Sequence, residues 1–252
     1  MPRRLGQHFL KHKGILSRLA QAACPQGEKL VIEIGAGTGS LTELLVERTE
    51  RLIAIEIDPE LAARLQARWS GRPGIEIITG DVLALDLSQW GPAVIAGNIP
   101  YYISSPILER VLSLGPLLQR AVLLVQKEVA QRLVAAPGTR QYGLLSVRAQ
   151  LASRVEILFR VPPSAFSPPP KVTSAAVRLT PYAVPALPWS EQRRFLAFAA
   201  RCFGHKRRTL RNNLAAWYPR QVLDALPEAA QRAEQLSLAQ LIALYRMLDE
   251  GR

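Results

Sequence analysis

Four consecutive residues, Asn98, Ile99, Pro100 and Tyr101, carry groups that together could hold an amine on an aromatic ring. They follow the apolar run 93–97, which predicts a buried strand, so we expect them at the rim of a sheet. The Asn98 side-chain oxygen and the Ile99 carbonyl could accept both amine protons, and the Tyr101 ring could stack on the ring that carries the amine. Asn and Pro are also common turn residues, so an ordinary strand-to-helix turn is the alternative.

A glycine-rich turn, Gly35-Ala36-Gly37-Thr38-Gly39-Ser40, follows the apolar run 30–34 and precedes a segment with helical spacing. A dinucleotide-binding turn of the form G-x-G-x-x-G needs a glycine where the chain has Ser40, which disfavours that kind of site. The pattern G-x-G-x-G after Glu33-Ile34 instead resembles the first motif of class I S-adenosylmethionine-dependent methyltransferases. The resemblance implies that Gly35, Gly37 and Gly39 let the backbone approach the methionine part of that cofactor.

Two acidic residues close the next two predicted strands, Glu56 after the run 52–55 and Asp81 after the run 75–78. The same resemblance implies that Glu56 holds the ribose of the cofactor and that Asp81 binds its adenine amine. An ionised carboxylate can accept hydrogen bonds from both ribose hydroxyls, which suits Glu56. The alternative for both residues is a pair of solvated strand ends.

The elements that must position these groups alternate along the chain between short apolar runs and segments with helical spacing. Strands are predicted at 30–34, 52–56, 75–78, 93–97, 121–125, 155–161 and 174–180. Such alternation indicates an α/β fold, a mostly parallel sheet with helices on both faces, and ligands at the carboxyl ends of its strands. The proline-rich segment 162–171 between the last two strands predicts a rigid loop.

A linker marked by Pro181, Pro185 and Pro188 separates this part from a segment whose spacing is helical throughout. We therefore predict a first domain at 1–183 and a small all-helical domain at 189–252. In the second domain, one helix should end near Gly204, another should begin just after it, and a last one should be capped by Ser237.

The composition indicates a globular protein with a polyanionic partner. The chain has 252 residues, of which 48% are hydrophobic, and 32 Lys and Arg against 20 Asp and Glu, for a formal charge of +12. No apolar run approaches the ~20 residues of a membrane span, and the first residues lack the apolar core of a signal peptide, so we expect a cytoplasmic protein. Cys24 and Cys202 stand alone in sequence, which predicts two reduced thiols and no metal site.

The basic residues cluster in two segments that contain no acid. No Asp or Glu precedes Glu28, and none lies between Glu191 and Asp224, a stretch that holds eight Lys and Arg residues. Although a charge run is often only a solvated face, this density favours a phosphate-binding surface. The predicted phosphate contacts are Lys11, Lys13, Lys206, Arg207, Arg208 and Arg211.

An ordered set of short motifs across nearly the whole chain resembles the rRNA adenine N6,N6-dimethyltransferase family, in particular its KsgA (RsmA) branch. The motifs are Gly6-Gln7-His8-Phe9-Leu10, 33–39, 98–101, 126–129, Tyr142-Gly143 and 162–172. The resemblance implies a Rossmann-like class I methyltransferase fold with a helical rRNA-binding domain. It also implies two methyl transfers from S-adenosylmethionine to each of two adjacent adenosines in the 3′-terminal hairpin of small-subunit rRNA, on a pre-30S or 30S particle. We expect a monomer.

The family's site residues carry over to positions of this chain. The resemblance implies that Asn98, Ile99, Pro100 and Tyr101 hold the target adenine, and we predict Phe166 as the second aromatic face of that clamp. The implied cofactor contacts are His8, Leu10, Gly35, Gly37, Gly39, Glu56, Asp81 and Asn98. The family usually has Asn at position 8 and Asn or His at position 102, so His8 and Tyr102 are departures near the site.

Two other functions share some of these features. Macrolide-resistance methyltransferases of large-subunit rRNA have the same tetrapeptide, but the segments 126–129 and 165–171 favour the small-subunit branch. A mainly non-catalytic ribosome-assembly factor could keep the fold, but the intact tetrapeptide and glycine turn favour an enzyme.

Overall fold

The computed structural model describes residues 7–248, so Gly6 of the first motif and residues 249–252 lie outside it. The chain forms two compact units. One contains the residues up to Ala130 together with Arg154–Pro181, and the other contains Gln131–Ser153 and the residues from Tyr182 onward. The predicted boundary at 183–189 assigns 131–153 to the first domain, whereas in the structure these residues belong to the second unit.

The first unit is built on a seven-stranded sheet with the order β4-β3-β2-β5-β6-β9-β7 among the described residues. Its strands are β2 (Glu28–Ile34), β3 (Thr49–Glu56), β4 (Ile75–Thr79), β5 (Ala93–Asn98), β6 (Leu118–Gln126), β7 (Ser153–Val161) and β9 (Ser174–Pro181). Strands β2 to β6 pair in parallel, and β9 is antiparallel to β6. The predicted mostly parallel α/β sheet is therefore confirmed.

Strands β2, β3 and β5 end side by side because the last residues of each strand pair with those of its neighbour. Ile34 of β2 is opposite Ile55 of β3, and Glu33 is opposite Ala96 of β5. Gly97 makes the close approach of β5 possible, because a Cβ there would lie 2.3 Å from the Ile34 carbonyl oxygen. The middle parts of these strands, 30–32, 52–55 and 93–96, are apolar and buried, as expected for parallel strands covered on both faces.

The helices of the first unit are α1 (Lys13–Ala23), α2 (Thr42–Leu45), α3 (Pro59–Arg68), α4 (Ser104–Leu112) and α5 (Lys127–Leu133), which runs into the second unit. Helix α1 packs against β5 and β6, and α3 packs against β4. Asp58 caps α3 by accepting a hydrogen bond from Glu60 N at 2.9 Å, and Pro59 occupies the first helical position.

A two-stranded sheet that the sequence analysis did not predict joins the amino-terminal segment to the proline-rich loop. Strand β1 (Phe9–Leu10) pairs antiparallel with β8 (Phe166–Ser167), and Lys11 N donates to Ala165 O at 2.9 Å. The Ser167–Pro168 peptide bond is cis. This pairing fixes residues 8–11 beside a loop about 160 residues later in the chain.

The second unit contains α6 (Leu144–Ala152), α7 (Trp189–Cys202), α8 (Leu210–Leu214), α9 (Arg220–Asp224) and α10 (Leu238–Leu248). These helices bury one apolar cluster around Phe195, Phe198 and Tyr245, and α6 adds Val147 and Leu151 to it. Ser237 caps α10 by accepting from Gln240 N, as predicted.

The prediction of a helix beginning just after Gly204 is wrong. Residues 203–208 form a turn, and α8 begins at Leu210 after Thr209, which caps it. The Asn213 side chain closes this turn because its Oδ1 accepts from His205 N and its Nδ2 donates to Cys202 O and His205 O. Lys206, Arg207 and Arg208 therefore project from a turn.

Within residues 7–248, no helix is long and apolar enough to cross a bilayer. The same residues contain no group of three or more His, Cys, Asp or Glu side chains arranged to hold a metal ion. Both cysteines are buried, and burial raises the pKa of the Cys24 thiol to about 11.

Candidate active site

Two adjoining cavities lie at the carboxyl ends of β2, β3 and β5. They share Phe9, Gly35, Gly37 and Asn98. The larger cavity is further lined by Gln7, His8, Glu56, Ile57, Ile99, Pro100, Tyr101 and Tyr102, and the smaller one by Leu10, Leu16, Glu33, Ala36, Thr38, Ser40 and Leu41. The structure thus brings together the tetrapeptide, the glycine turn and the first acidic strand end, which are distant in sequence.

Glu56 is a buried carboxylate on the wall of the larger cavity. Its Oε2 accepts from Gly37 N at 2.7 Å, and its Oε1 accepts from Asp58 N at 2.9 Å. These two bonds fix the carboxylate and hold the glycine turn against the end of β3. Because each carboxylate oxygen has a second lone pair, Glu56 can still accept hydroxyl donors from a ligand.

The three glycines of the turn have different surroundings. Gly37 lines both cavities with a φ of 58°, a conformation that side chains rarely adopt, and this conformation directs its amide at Glu56. Gly39 lines neither cavity, and a Cβ there would lie 2.8 Å from Leu65 and from Trp69 of the α3 region. Gly39 therefore lets the turn pack on α3, whereas Gly35 and Gly37 form the wall of the site.

Asn98 is oriented by a main-chain contact to the amino-terminal segment. Its Nδ2 donates to the His8 carbonyl at 2.9 Å, and this bond turns the side-chain oxygen of Asn98 away from His8. Ile99 N donates to Leu124 O at 3.3 Å, and the Ile99 carbonyl accepts no hydrogen bond from residues 7–248. Two acceptor oxygens of consecutive residues thus remain available on the wall of the larger cavity.

Two contacts hold the Tyr101 side chain, one at its hydroxyl and one at its ring. Its hydroxyl hydrogen-bonds to the hydroxyl of Ser174, a buried residue at the start of β9. Burial raises the pKa of Tyr101, and the bond to Ser174 opposes that rise. The His8 ring stacks on the Tyr101 ring with 5.8 Å between centroids and 29° between planes, and His8 Nδ1 donates to the Pro168 carbonyl at 2.8 Å.

Besides His8 and Tyr101, the aromatic residues that line the larger cavity are Phe9 and Tyr102, and Phe166 is not among them. Tyr102 is 60% exposed, whereas Phe166 is 4% exposed and packs among Leu10, Leu16 and their neighbours. The prediction that Phe166 forms one face of the clamp is not met in this structure, because pairing of β8 with β1 turns its ring into the apolar core.

Asp81, like Gly39 and Phe166, is a predicted contact that lies outside both cavities. It follows β4 at the next strand end, is exposed, and accepts from Leu83 N at 2.9 Å through Oδ1. Leu10 lines the smaller cavity, as expected of a cofactor contact.

Glu33 is a cavity residue to which the sequence analysis assigned no role. It is 1% exposed, lines the smaller cavity, and its Oε2 accepts no hydrogen bond from residues 7–248. Burial raises its pKa to about 8, the negative charge of Glu56 adds to that rise, and Thr42 opposes it. An acidic residue between the apolar Ile32 and Ile34 of a buried strand is the signal that could have identified it.

The predicted phosphate contacts are all exposed, but their partners differ. Lys206 Nζ donates to the Arg140 carbonyl at 2.8 Å and lies 3.7 Å from Glu234, and Arg211 pairs with Asp224 at 3.2 Å. Within residues 7–248, no acidic side chain pairs with Arg207 or Arg208. Of the predicted phosphate contacts in the second unit, Arg207 and Arg208 are therefore the ones whose positive charge is least neutralised.

Comparisons with known proteins agree with this geometry. The family model described as ribosomal RNA adenine dimethylase matches residues 2–250. A protein of Acidobacterium capsulatum named ribosomal RNA small subunit methyltransferase A is 44% identical over 257 residues, which cover 98% of this chain and 91% of that protein.

Two solved structures share the fold. A dimethyladenosine transferase from Plasmodium falciparum aligns with a TM-score of 0.80 and 29% identity, over 95% of this chain and 98% of that one. The 23S rRNA methyltransferase ErmE aligns with a TM-score of 0.73 and 29% identity, over 96% of this chain and all of that one.

Proposed function

Because the chain belongs to the ribosomal RNA adenine dimethylase family, we propose that it transfers methyl groups from S-adenosylmethionine to N6 of two adjacent adenosines in small-subunit rRNA. The products are two N6,N6-dimethyladenosines in the 3′-terminal hairpin. Such a substrate agrees with the strongly basic composition and with a cytoplasmic protein that acts on a pre-30S or 30S particle.

The observation that carries this proposal is the pair of available acceptors on consecutive residues, Asn98 Oδ1 and Ile99 O, beside the Tyr101 ring. An adenine amine has two protons and a lone pair delocalised into the ring. Two acceptors held in fixed positions favour a pyramidal nitrogen and so free its lone pair for attack. The neighbouring aromatic ring can offset the cost of taking the base out of its stack.

The cavity residues also fit the cofactor. The fixed carboxylate of Glu56 suits ribose hydroxyls, Gly35 and Gly37 leave room for close approach of a ligand, and the buried Glu33 Oε2 lacks a partner within residues 7–248. We keep Asp81 as a proposed contact to the cofactor's adenine amine. When bound, the sulfonium supplies an activated methyl group and a neutral leaving group.

The protein then promotes the transfer mainly by positioning the target adenine. The Asn98 and Ile99 oxygens hold the amine, Tyr101 holds the ring, and its bond to Ser174 keeps that ring in place. Alignment of this kind can lower a barrier by roughly 7 to 11 kcal/mol. No base of high proton affinity is required, since the amine proton becomes acidic only after transfer and can leave to water.

The relative at 44% identity supports a small-subunit substrate, because its name specifies that subunit, whereas the large-subunit enzyme ErmE is 29% identical. We further propose that the second unit binds rRNA phosphates, chiefly through Arg207 and Arg208. Their exposure and the lack of acidic partners within the described part of the chain support this role.

The proposal is tested by incubating the protein and labelled S-adenosylmethionine with undermethylated small and large ribosomal subunits and mapping the modified nucleotides. We expect dimethylation of two adjacent adenosines near the 3′ end of small-subunit rRNA. Methylation of large-subunit rRNA alone would assign the protein to the other substrate class, and binding of small subunits without methylation would indicate an assembly factor.

A further inference from the structure

Tyr102 is an exposed aromatic residue on the wall of the larger cavity, directly after the tetrapeptide. Its relative exposure is 60%, whereas Ile99 in the same wall is 1% exposed. Within residues 7–248, the Tyr102 side chain makes no hydrogen bond and no contact with another aromatic ring. Single exposed aromatic residues are common on protein surfaces, but this one lines the cavity that contains the two amine acceptors.

The backbone around Tyr102 is held in one conformation. Residues 101–103 form a 3₁₀ turn between Pro100 and the first residue of α4, Ser104. The Ser104 hydroxyl donates to the carbonyl oxygens of Pro100 and Tyr101, both at 3.1 Å. Ile103 N donates to the Pro100 carbonyl at 3.3 Å. These bonds fix the turn, so the position of Tyr102 is fixed relative to Tyr101.

The turn also directs the two tyrosine rings differently. A 3₁₀ turn has three residues per turn, so successive side chains leave the backbone about 120° apart. Tyr101 and Tyr102 therefore do not face each other across one base, although their Cα atoms are only about 3.8 Å apart. If Tyr101 stacks on the target adenine, Tyr102 is placed for a different base close to it.

We propose that Tyr102 binds the nucleotide adjacent to the target adenosine by stacking on its base. The inference rests on the proposed function, in which the substrate is a pair of adjacent adenosines. When one adenine leaves its stack and enters the cavity, its neighbour loses a stacking partner but stays covalently tied to the target. The exposed Tyr102 ring would take the place of the lost partner, and the larger ring system of a purine would profit most.

The test uses small ribosomal subunits reconstituted with unmethylated rRNA and labelled S-adenosylmethionine. In two variant substrates, the first or the second adenosine of the pair is replaced by uridine, and methylation of the remaining adenosine is measured. Tyr102→Ala should lower kcat/KM on the normal subunit by about five- to tenfold, mainly through KM, because one base loses its stacking partner. Tyr102→Phe should behave as the wild type, since the ring is kept.

The matched control is Tyr182→Ala, which removes an exposed tyrosine that lines neither cavity and should leave methylation unchanged. The uridine substrates separate base stacking from a structural effect on the turn. The wild type should methylate at least one of them about threefold or more slowly than the normal subunit, whereas Tyr102→Ala should show almost no such difference. Cofactor affinity, measured by calorimetry, should be the same in all variants.

Two results would overturn the inference and leave the proposed function intact. One is a wild type that methylates the remaining adenosine equally well beside adenine and uridine. The other is a Tyr102→Ala variant that distinguishes the substrates as strongly as the wild type does, which would show that the base does not contact Tyr102. A wild-type protein that methylates no small subunit would overturn both the inference and the proposed function.

Discussion

Replacing Glu33 by Gln should stabilise the cofactor-free protein near neutral pH. A carboxyl whose pKa is raised in the folded state must take up a proton when the chain folds. Burial raises the pKa of Glu33 from 4.5 to about 8, so the free energy of unfolding should fall as the pH rises between those values. This loss of free energy of unfolding is absent below pH 4.5 and largest at pH 8 and above.

The size of the effect follows from the linkage. Each pH unit between 4.5 and 7 costs about 1.4 kcal/mol, so wild-type protein at pH 7 bears a penalty of about 3 kcal/mol at position 33. Gln has the shape of the protonated acid and does not titrate, so the variant should escape this penalty. For a chain of this size the gain corresponds to roughly 6 to 12 °C in the melting temperature.

The assay is thermal unfolding of the cofactor-free wild type, Glu33→Gln and Glu50→Gln from pH 5 to pH 7.5, followed by circular dichroism. The melting temperature of Glu33→Gln should be close to that of the wild type at pH 5 and should exceed it by an increasing amount as the pH rises. Glu50 is exposed, so its variant should follow the wild type throughout. Parallel melting curves for Glu33→Gln and the wild type would show that Glu33 ionises normally in the folded protein, and the reasoning would fail.

Three further predictions address the proposed reaction and the RNA contacts. Asn98→Ala should keep the fold and rRNA binding but lose at least about 10²-fold in methyl transfer, measured as single-turnover incorporation of label, since it removes one oriented acceptor. Tyr101→Phe should keep most methyl-transfer activity but lower the melting temperature, because Ser174 loses a buried hydrogen-bond partner. Tyr101→Ala should be far less active. An equal loss of activity in the two variants would refute a stacking role for the ring. Changing Arg207 and Arg208 to Gln should make the slope of log K against log salt for subunit binding shallower by about 1.4 to 1.8. Cofactor affinity should not change. An unchanged slope would show that the two arginines do not contact rRNA phosphates.

Much of the first unit could be predicted from the sequence because parallel strands covered on both faces leave continuous apolar runs. The run at 93–97 and the polar Asn98 after it placed the tetrapeptide at a strand end, and β5 ends there. The rule that ligands bind at the carboxyl ends of parallel strands then brings Gly35, Glu56 and Asn98 together, as the cavity lining confirms.

The remaining features depend on contacts between distant segments, which local patterns do not encode. Two-residue strands such as β1 and β8 have no periodicity, so neither their pairing nor the burial of Phe166 could be predicted. The segment 131–153 belongs to the second unit because the apolar face of α6 joins the cluster around Phe195. Lys206, Arg207 and Arg208 are good helix formers, but the side chain of Asn213 closes this segment into a turn.

The pairing of β1 with β8 also bears on the order in which the molecule folds. His8 and Pro168 are 160 positions apart, and Asn98 reaches the His8 carbonyl across 90 positions. During synthesis, the amino-terminal segment must wait until the proline-rich loop has left the ribosome before it can dock. Closing so long a loop has an entropic cost that only the packed sheet can offset, so the cavity walls should form after the strand core. Ligand affinity would then report on completion of folding, and a chain shortened before residue 165 should contain much of the sheet but bind no cofactor.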